Sequence, residues 1–178
     1  MESIYQPSED SYLLQRYVER LARGDVLDIG TGSGIQAVTA ALRLDVKHVV
    51  ATDINPFAIE AAKMRAWKSG VQEKIDFVVT NLFEGIIGSF DLIIFNPPYL
   101  PSEECLVDHT CDGGAFGVEV IKQFLAKAPL HLAHGGSILF IYSSETGISQ
   151  EGCDYTWEIL EEKELFFETL YCARLNLS

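Results

Sequence analysis

Leu92-Ile93-Ile94-Phe95 is a short apolar run, and Asn96-Pro97-Pro98-Tyr99 stops it. A run of that kind reads as a buried strand. Pro97 pushes Asn96 out of helical geometry and into an extended one. Two consecutive prolines remove two backbone N–H donors and keep both carbonyls. The strand end therefore presents an amide side chain, bare acceptor oxygens and an aromatic face. Such a surface suits a planar group carrying –NH2, because it can accept both N–H bonds and stack on the plane. Taken alone, the tetrapeptide is more often a plain turn after a strand. Its neighbours decide its meaning.

Those neighbours alternate in type. Ser8 reads as an N-cap opening a helix to about 21, with Leu13, Leu14, Tyr17, Val18 and Leu21 on one face. Strands are expected at about 25–29, 48–52, 75–79, 92–95, 137–142 and 165–175. Helices are expected at about 34–44, 55–68, 118–131 and 153–163, with Pro56 at the first position of the second. Strands alternating with helices predict an α/β chain with a doubly wound sheet, as one domain over 1–178. The strand before residue 30 and the strand after it are expected to flank the topological switch point, where ligands bind outside the carboxyl ends. The glycine turn at 30–34, Asp53, Asn81 and Asn96 each follow a different strand. Four strand ends should therefore converge on one crevice.

Asp28-x-Gly30-x-Gly32-x-Gly34 suits a tight strand-to-helix turn with close backbone approach to a ligand. The helix behind it favours an anion at its N-terminus. Its spacing, Gly-x-Gly-x-Gly, differs from the dinucleotide fingerprint Gly-x-Gly-x-x-Gly. Asp28 would face a pyrophosphate unfavourably and a cationic amino group favourably. Asp53 can accept the two hydroxyls of a ribose, or else cap the helix that begins at Pro56. Asn81 can bond an adenine amine with Leu82 packed on the base, or be an ordinary turn asparagine.

Charge narrows the partners. Acidic residues number 26 against 13 basic ones, for a net charge of −13, and no Lys/Arg cluster appears. A chain that grips nucleic acid usually carries a basic patch, so a basic protein or peptide fits better. No apolar stretch reaches the length of a membrane span and no basic, apolar leader opens the chain, so a cytoplasmic protein is expected. Cys105, His109 and Cys111 lie close in sequence but lack the four-ligand spacing of structural zinc, so no metal site is expected.

Taken together, these motifs resemble the class I S-adenosylmethionine-dependent methyltransferases with an Asn-Pro-Pro-Tyr motif. More narrowly, the chain resembles the archaeal/eukaryotic (Mtq2-like) branch of the HemK family, the release-factor glutamine methyltransferases. Tyr5-Gln6-Pro7-Ser8-Glu9-Asp10-Ser11 is similar to that branch's opening motif. The glycine turn, Thr52-Asp53-Ile54-Asn55-Pro56, Phe95-Asn96-Pro97-Pro98-Tyr99, and Gly113-Gly114 with Gly117-Val118-Glu119-Val120 extend the match nearly end to end. The resemblance implies a seven-stranded, mostly parallel Rossmann-like sheet with an antiparallel last strand. It implies S-adenosylmethionine as cofactor, contacted by Ser11, Asp28, Gly30, Gly32, Asp53, Ile54, Asn81, Leu82 and Asn96. Asn96, Pro97, Pro98 and Tyr99 would bind the substrate amide, with Asn96, Pro97 and Tyr99 in the catalytic role. The family usually has Asp at position 81, so Asn81 offers adenine an acceptor without a formal charge.

The implied reaction is N5-methylation of a glutamine in the Gly-Gly-Gln loop of a class 1 translation release factor. The branch also implies a small zinc-binding activator of the Trm112 type, forming a heterodimer along the sheet edge made by the third strand. The same chemistry would serve an exocyclic amine of nucleic acid, which the acidic charge opposes, or a lysine, which would need a base. A cofactor-binding scaffold without turnover is the non-enzymatic alternative. A nicotinamide-dependent oxidoreductase is opposed by the glycine spacing.

Overall fold

The computed structural model describes residues 5–97, 115–148 and 155–178. In chain order the elements are α1 (Glu9–Leu21), β1 (Gly24–Ile29), α2 (Ile35–Ala41), β2 (Val46–Asp53), α3 (Pro56–Lys68), β3 (Ile75–Val79), β4 (Phe90–Phe95), α4 (Ala115–Lys127), β5 (Leu132–Ser143), β6 (Tyr155–Glu164) and β7 (Thr169–Leu177). The seven strands form one sheet in the order β3-β2-β1-β4-β5-β7-β6. Pairings among β1 to β5 are parallel, and β7 runs antiparallel to both of its neighbours. The chain winds outward from β1 to β3 and then crosses back to lay down β4 on the other side of β1. The switch point therefore lies between β1 and β4, not between β1 and β2 as expected.

Successive side chains of a strand point to opposite faces, and the central runs split accordingly. Val26, Leu92 and Ile94 join the core under α1 and α2, with Leu13, Leu14 and Val18. Leu27, Ile29, Ile93 and Phe95 join the core under α4, with Ile121 and Phe124. The second core is aromatic: the rings of Phe95 and Phe124 stack with centroids 4.3 Å apart, and Phe83 lies 5.5 Å from Phe124. A strand covered by helices on both faces needs no polar side, which is why 92–95 is unbroken.

One element differs in kind. Residues 153–163 were expected as a helix, yet Tyr155–Glu164 is the edge strand β6, paired with β7 from Tyr155↔Leu177 to Glu164↔Thr169. The register shifts between Ile159 and Glu161. A bulge places two residues opposite one and breaks the period of two. Ile159 and Glu161, two apart in sequence, thereby pair with Ala173 and Cys172, which belong to opposite cores. Glu, Leu and Lys favour a helix here, but β7 buries Leu170, Cys172, Ala173 and Leu175 and needs a strand beside it. Pairing outweighs local propensity. A smaller difference occurs at Gly135-Gly136, read as a turn before a strand but lying within β5. A Cβ at Gly136 would stand 2.8 Å from the Phe90 carbonyl oxygen, so glycine permits β4 and β5 to meet there.

Gly34 has a packing role. It precedes α2 with φ +79°, and a Cβ there would lie 2.7 Å from the Ala62 Cα on α3. Gly32 also has positive φ, +54°, but its nearest such neighbour is 4.0 Å away. Gly34→Ala should therefore cost about 2–4 kcal/mol, combining backbone strain with overpacking. Gly32→Ala should cost only the strain, about 1–2 kcal/mol. Urea denaturation of both variants checks this; equal losses would remove the α2–α3 packing explanation.

Candidate active site

Parallel register brings the strand ends to one level. Ile29 pairs with Thr52 on one side and Phe95 on the other, and Asp53 pairs with Val79. The residues just beyond those ends line a single cavity of about 540 Å³, closed by the first turn of α1 and by Val120 of α4. The turns are tied to one another. Thr31 N donates to Thr52 O at 2.8 Å, and Thr80 N to Asp53 O at 2.9 Å.

Asp28 lies at the floor, 2 % exposed. Its Oδ2 accepts from Thr31 Oγ1 at 2.6 Å and from Ala37 N at 3.0 Å. Burial pushes its carboxyl up to about 7, with a further upward push from the Asp53 charge; the Thr31 and Ala37 bonds oppose the rise. A buried carboxylate poised near neutrality has strong affinity for a cation that could replace its lost solvation.

Asp53 bridges two turns. Its Oδ2 accepts from Gly32 N at 2.8 Å and its Oδ1 from Asn55 N at 2.9 Å. It does not cap α3; Asn55 does, accepting from Phe57 N at 2.9 Å. Ile54, 69 % exposed, stands beside it on the cavity wall. Across from it come Asn81 and Leu82. Leu82 has φ +49° and is the only described residue other than glycine with positive φ. That conformation costs a leucine about 1–2 kcal/mol, and it holds an apolar side chain on the cavity wall and against the Phe124 core.

Asn96 is held by a residue to which the sequence assigned no role. Its Nδ2 donates to Asp10 Oδ2 at 2.7 Å. Only the amide nitrogen can donate to a carboxylate, so the bond fixes which way the amide faces. The Asn96 Oδ1 is buried without a hydrogen-bond partner. Asp10, 3 % exposed, also accepts from Tyr5 Oη at 2.8 Å and Ser11 Oγ at 3.4 Å. Burial, the bond to Asp10 and its charge together hold the Tyr5 phenol well above its ordinary range. Gln36, 4 % exposed on α2, donates through Nε2 to Ser11 O at 2.8 Å and leaves its Oε1 unpartnered.

Ser11, Asp28, Gly30, Gly32, Asp53, Ile54, Asn81, Leu82, Asn96 and Pro97 thus all line one cavity. Pro98 and Tyr99 lie outside the described residues, as do Cys105, His109, Cys111 and the Gly113-Gly114 pair. Tyr5, Asp10 and Thr31, lying within motifs but given no role, join the lining, as does Gln36. Asp10 belongs to the opening motif Tyr5–Ser11, but an acid in the first turn of a helix ordinarily complements the helix dipole, so no role of its own could be read for it. Among the described residues no three His, Cys, Asp or Glu gather as a metal site, and no helix is long and apolar enough to cross a membrane.

The buried Asp28 carboxyl links stability to pH. The folded protein holds more protons than the unfolded chain between about pH 4 and pH 7, so stability falls as pH rises through that window. Asp28→Asn, which keeps the shape and an acceptor oxygen, should stabilise the ligand-free protein above pH 7, by up to about 4 kcal/mol. The gain should vanish near pH 4. Melting curves of both proteins at pH 4 and pH 8 check this; a gap independent of pH would remove the ionisation argument.

The geometry has relatives. The family model "Methyltransferase small domain" matches residues 8–163. A protein of Methanocaldococcus jannaschii, named as a candidate protein N5-glutamine methyltransferase, is 38% identical over 179 residues, 98% of this chain and 86% of that one. The release factor glutamine methyltransferase of Deinococcus radiodurans is 36% identical over 143 residues, 74% of this chain; the chain spans about half of that protein, 51%. The solved ribosomal protein L11 methylase of Lactobacillus delbrueckii subsp. bulgaricus superposes with a TM-score of 0.66 at 21% identity, over 98% of this chain and 81% of that one, a likeness of fold. Sheet order, glycine turn and sequence likeness agree: the chain belongs to the Methyltransferase small domain family and is a class I methyltransferase of HemK type.

Proposed function

We propose that this chain transfers a methyl group from S-adenosylmethionine to the side-chain amide nitrogen of a protein glutamine, in the Gly-Gly-Gln loop of a class 1 release factor. One observation carries the reading most: Asp10 holds the Asn96 amide so that its Oδ1 is a buried, unpartnered acceptor at the end of β4. The names of the archaeal and bacterial relatives support the acceptor and the substrate class.

The cavity fits the cofactor. Asp28 at the floor would face its ammonium group, Asp53 its ribose hydroxyls, and Ile54, Asn81 and Leu82 its adenine. When bound, it supplies an electrophilic methyl group on a sulfonium. A glutamine amide is a poor nucleophile, because its nitrogen lone pair is delocalised into the carbonyl. Asn96 Oδ1 and the Pro97 carbonyl would accept the two amide protons and fix the nitrogen in line with the methyl group, which is catalysis by orientation. The same acceptors stabilise positive charge developing on that nitrogen. Asp10 keeps the acceptor turned the right way; Tyr5 and Ser11 keep Asp10 in place. Tyr99 would stack on the amide plane. The excess proton of the product nitrogen would leave to water.

The reading includes a small zinc-binding activator of the Trm112 type docked along β3 in a heterodimer. The support is the state of that edge. Lys74, which could have guarded it, instead donates to the Ala41 and Arg43 carbonyls at 2.9 and 2.7 Å. Asp76 pairs with His48 at 3.1 Å, and Val79 is 52 % exposed. An edge with few free charges is open to strand addition. The outer edge β6 differs: it is bulged and rich in Glu. This function places the protein in the cytoplasm with the translation apparatus.

Two experiments test these assignments. Labelled S-adenosylmethionine should mark the release factor carrying Gly-Gly-Gln and not the Gly-Gly-Ala form, more strongly with the activator. Label on RNA or on lysine instead would overturn the glutamine assignment. Asn96→Ala should lower kcat by about 10²–10³-fold, as loss of a transition-state hydrogen bond does elsewhere. Asp10→Asn should lower it less, by roughly tenfold, because an amide at 10 can hold Asn96 in either flip. Cofactor affinity should stay within a few-fold in both; a parallel loss of affinity would assign the pair to cofactor binding.

A further inference from the structure

Phe166 and Phe167 break the pattern in which large apolar side chains pack inward. They are 91 % and 86 % exposed, in the turn joining β6 to β7. The turn is closed by Leu165 N donating to Glu168 O at 2.8 Å, and Leu165 packs against the core beneath. The two rings meet edge to face, centroids 4.6 Å apart at 85°. They form one apolar tip on an anchored base.

Topology places this tip at the same end of the sheet as the cavity. β7 is antiparallel to β5, so the turn before it falls at the carboxyl end of the parallel strands. Ala173 pairs with Phe140, and Phe140 with Phe95, the residue before Asn96. Phe167 lies six residues before Ala173. At about 3.3 Å per residue over Thr169–Ala173, the base of the turn stands roughly 13 Å above the level of Phe95, and two strand spacings, about 10 Å, to one side. The base is fastened to the cavity wall: Lys163 bonds Glu9, the neighbour of Asp10, and Arg16 bonds Glu161 at 2.7 Å.

The surroundings select the partner. Glu162, Glu164 and Glu168 flank the tip, and the nearby Lys163 is already paired. Phosphate would be repelled; basic side chains around an apolar recess would be attracted. We propose that Phe166 and Phe167 form a docking prong for the body of the substrate protein, which rests on the rim while its acceptor loop enters the cavity. This rests on the reading that the substrate is a folded protein.

Phe166→Ser/Phe167→Ser tests it, with the activator-bound protein, on the intact release factor and on a short peptide containing its Gly-Gly-Gln loop. For the intact protein KM should rise about tenfold, the scale of a lost interface anchor. Its kcat, the reaction with the peptide and the melting temperature should hold within about twofold or a few degrees. Unchanged KM for the intact protein would overturn the prong. So would a wild-type dimer that the double variant dissolves, which would make the tip a contact between copies. Absence of label on either substrate with the wild-type protein would overturn the glutamine reading first, and the prong with it.

Discussion

β1 is paired in register on both sides, and the rest of the site depends on that. Because Ile29 lies level with Thr52 and with Phe95, the chain must leave the sheet at one height on three adjacent strands. Each exit turn then borders the next. Backbone bonds from Thr31 to Thr52 and from Thr80 to Asp53 lock the turns together. A slip of one residue in any pairing would turn its side chains to the wrong face. It would also lift Asp28, Asp53 or Asn96 out of reach of the others.

Within that frame the cavity gathers acid. Asp10, Asp28 and Asp53 all line it, in a chain whose net charge is already −13. Two of the three are almost fully buried, and their cost is met by local donors such as Thr31, Ala37 and Tyr5. Such a site favours a cationic ligand.

Strand-end punctuation was legible because its cause is local. Glycines at 30, 32 and 34, Asn55-Pro56 and the Asn96-Pro97 step each force a backbone outcome whatever surrounds them, and each lies where expected. β6 was not legible as a strand, since its bulge erases alternation and only the bare edge of β7 calls for it. Asp10 and Gln36 were hidden for another reason. Their partners, Asn96 and the Ser11 carbonyl, are 86 and 25 residues away, and nothing near them in sequence reports the contact. The reason for Gly34 was likewise on another helix, at Ala62. Local geometry can be read from a chain; pairings made only by folding cannot.

The strained Leu82 has a consequence for any effort to evolve this protein. Asn or Gly would occupy φ +49° more comfortably and would relieve about 1–2 kcal/mol of strain, set against the packing that Leu82 makes on the Phe124 core. Either would also strip an apolar side chain from the cavity wall. Where the relieved strain exceeds the lost packing, a library ranked by heat resistance alone would enrich changes at 82 and discard part of the wall along the way. The position marks a site where durability and chemistry select in opposite directions.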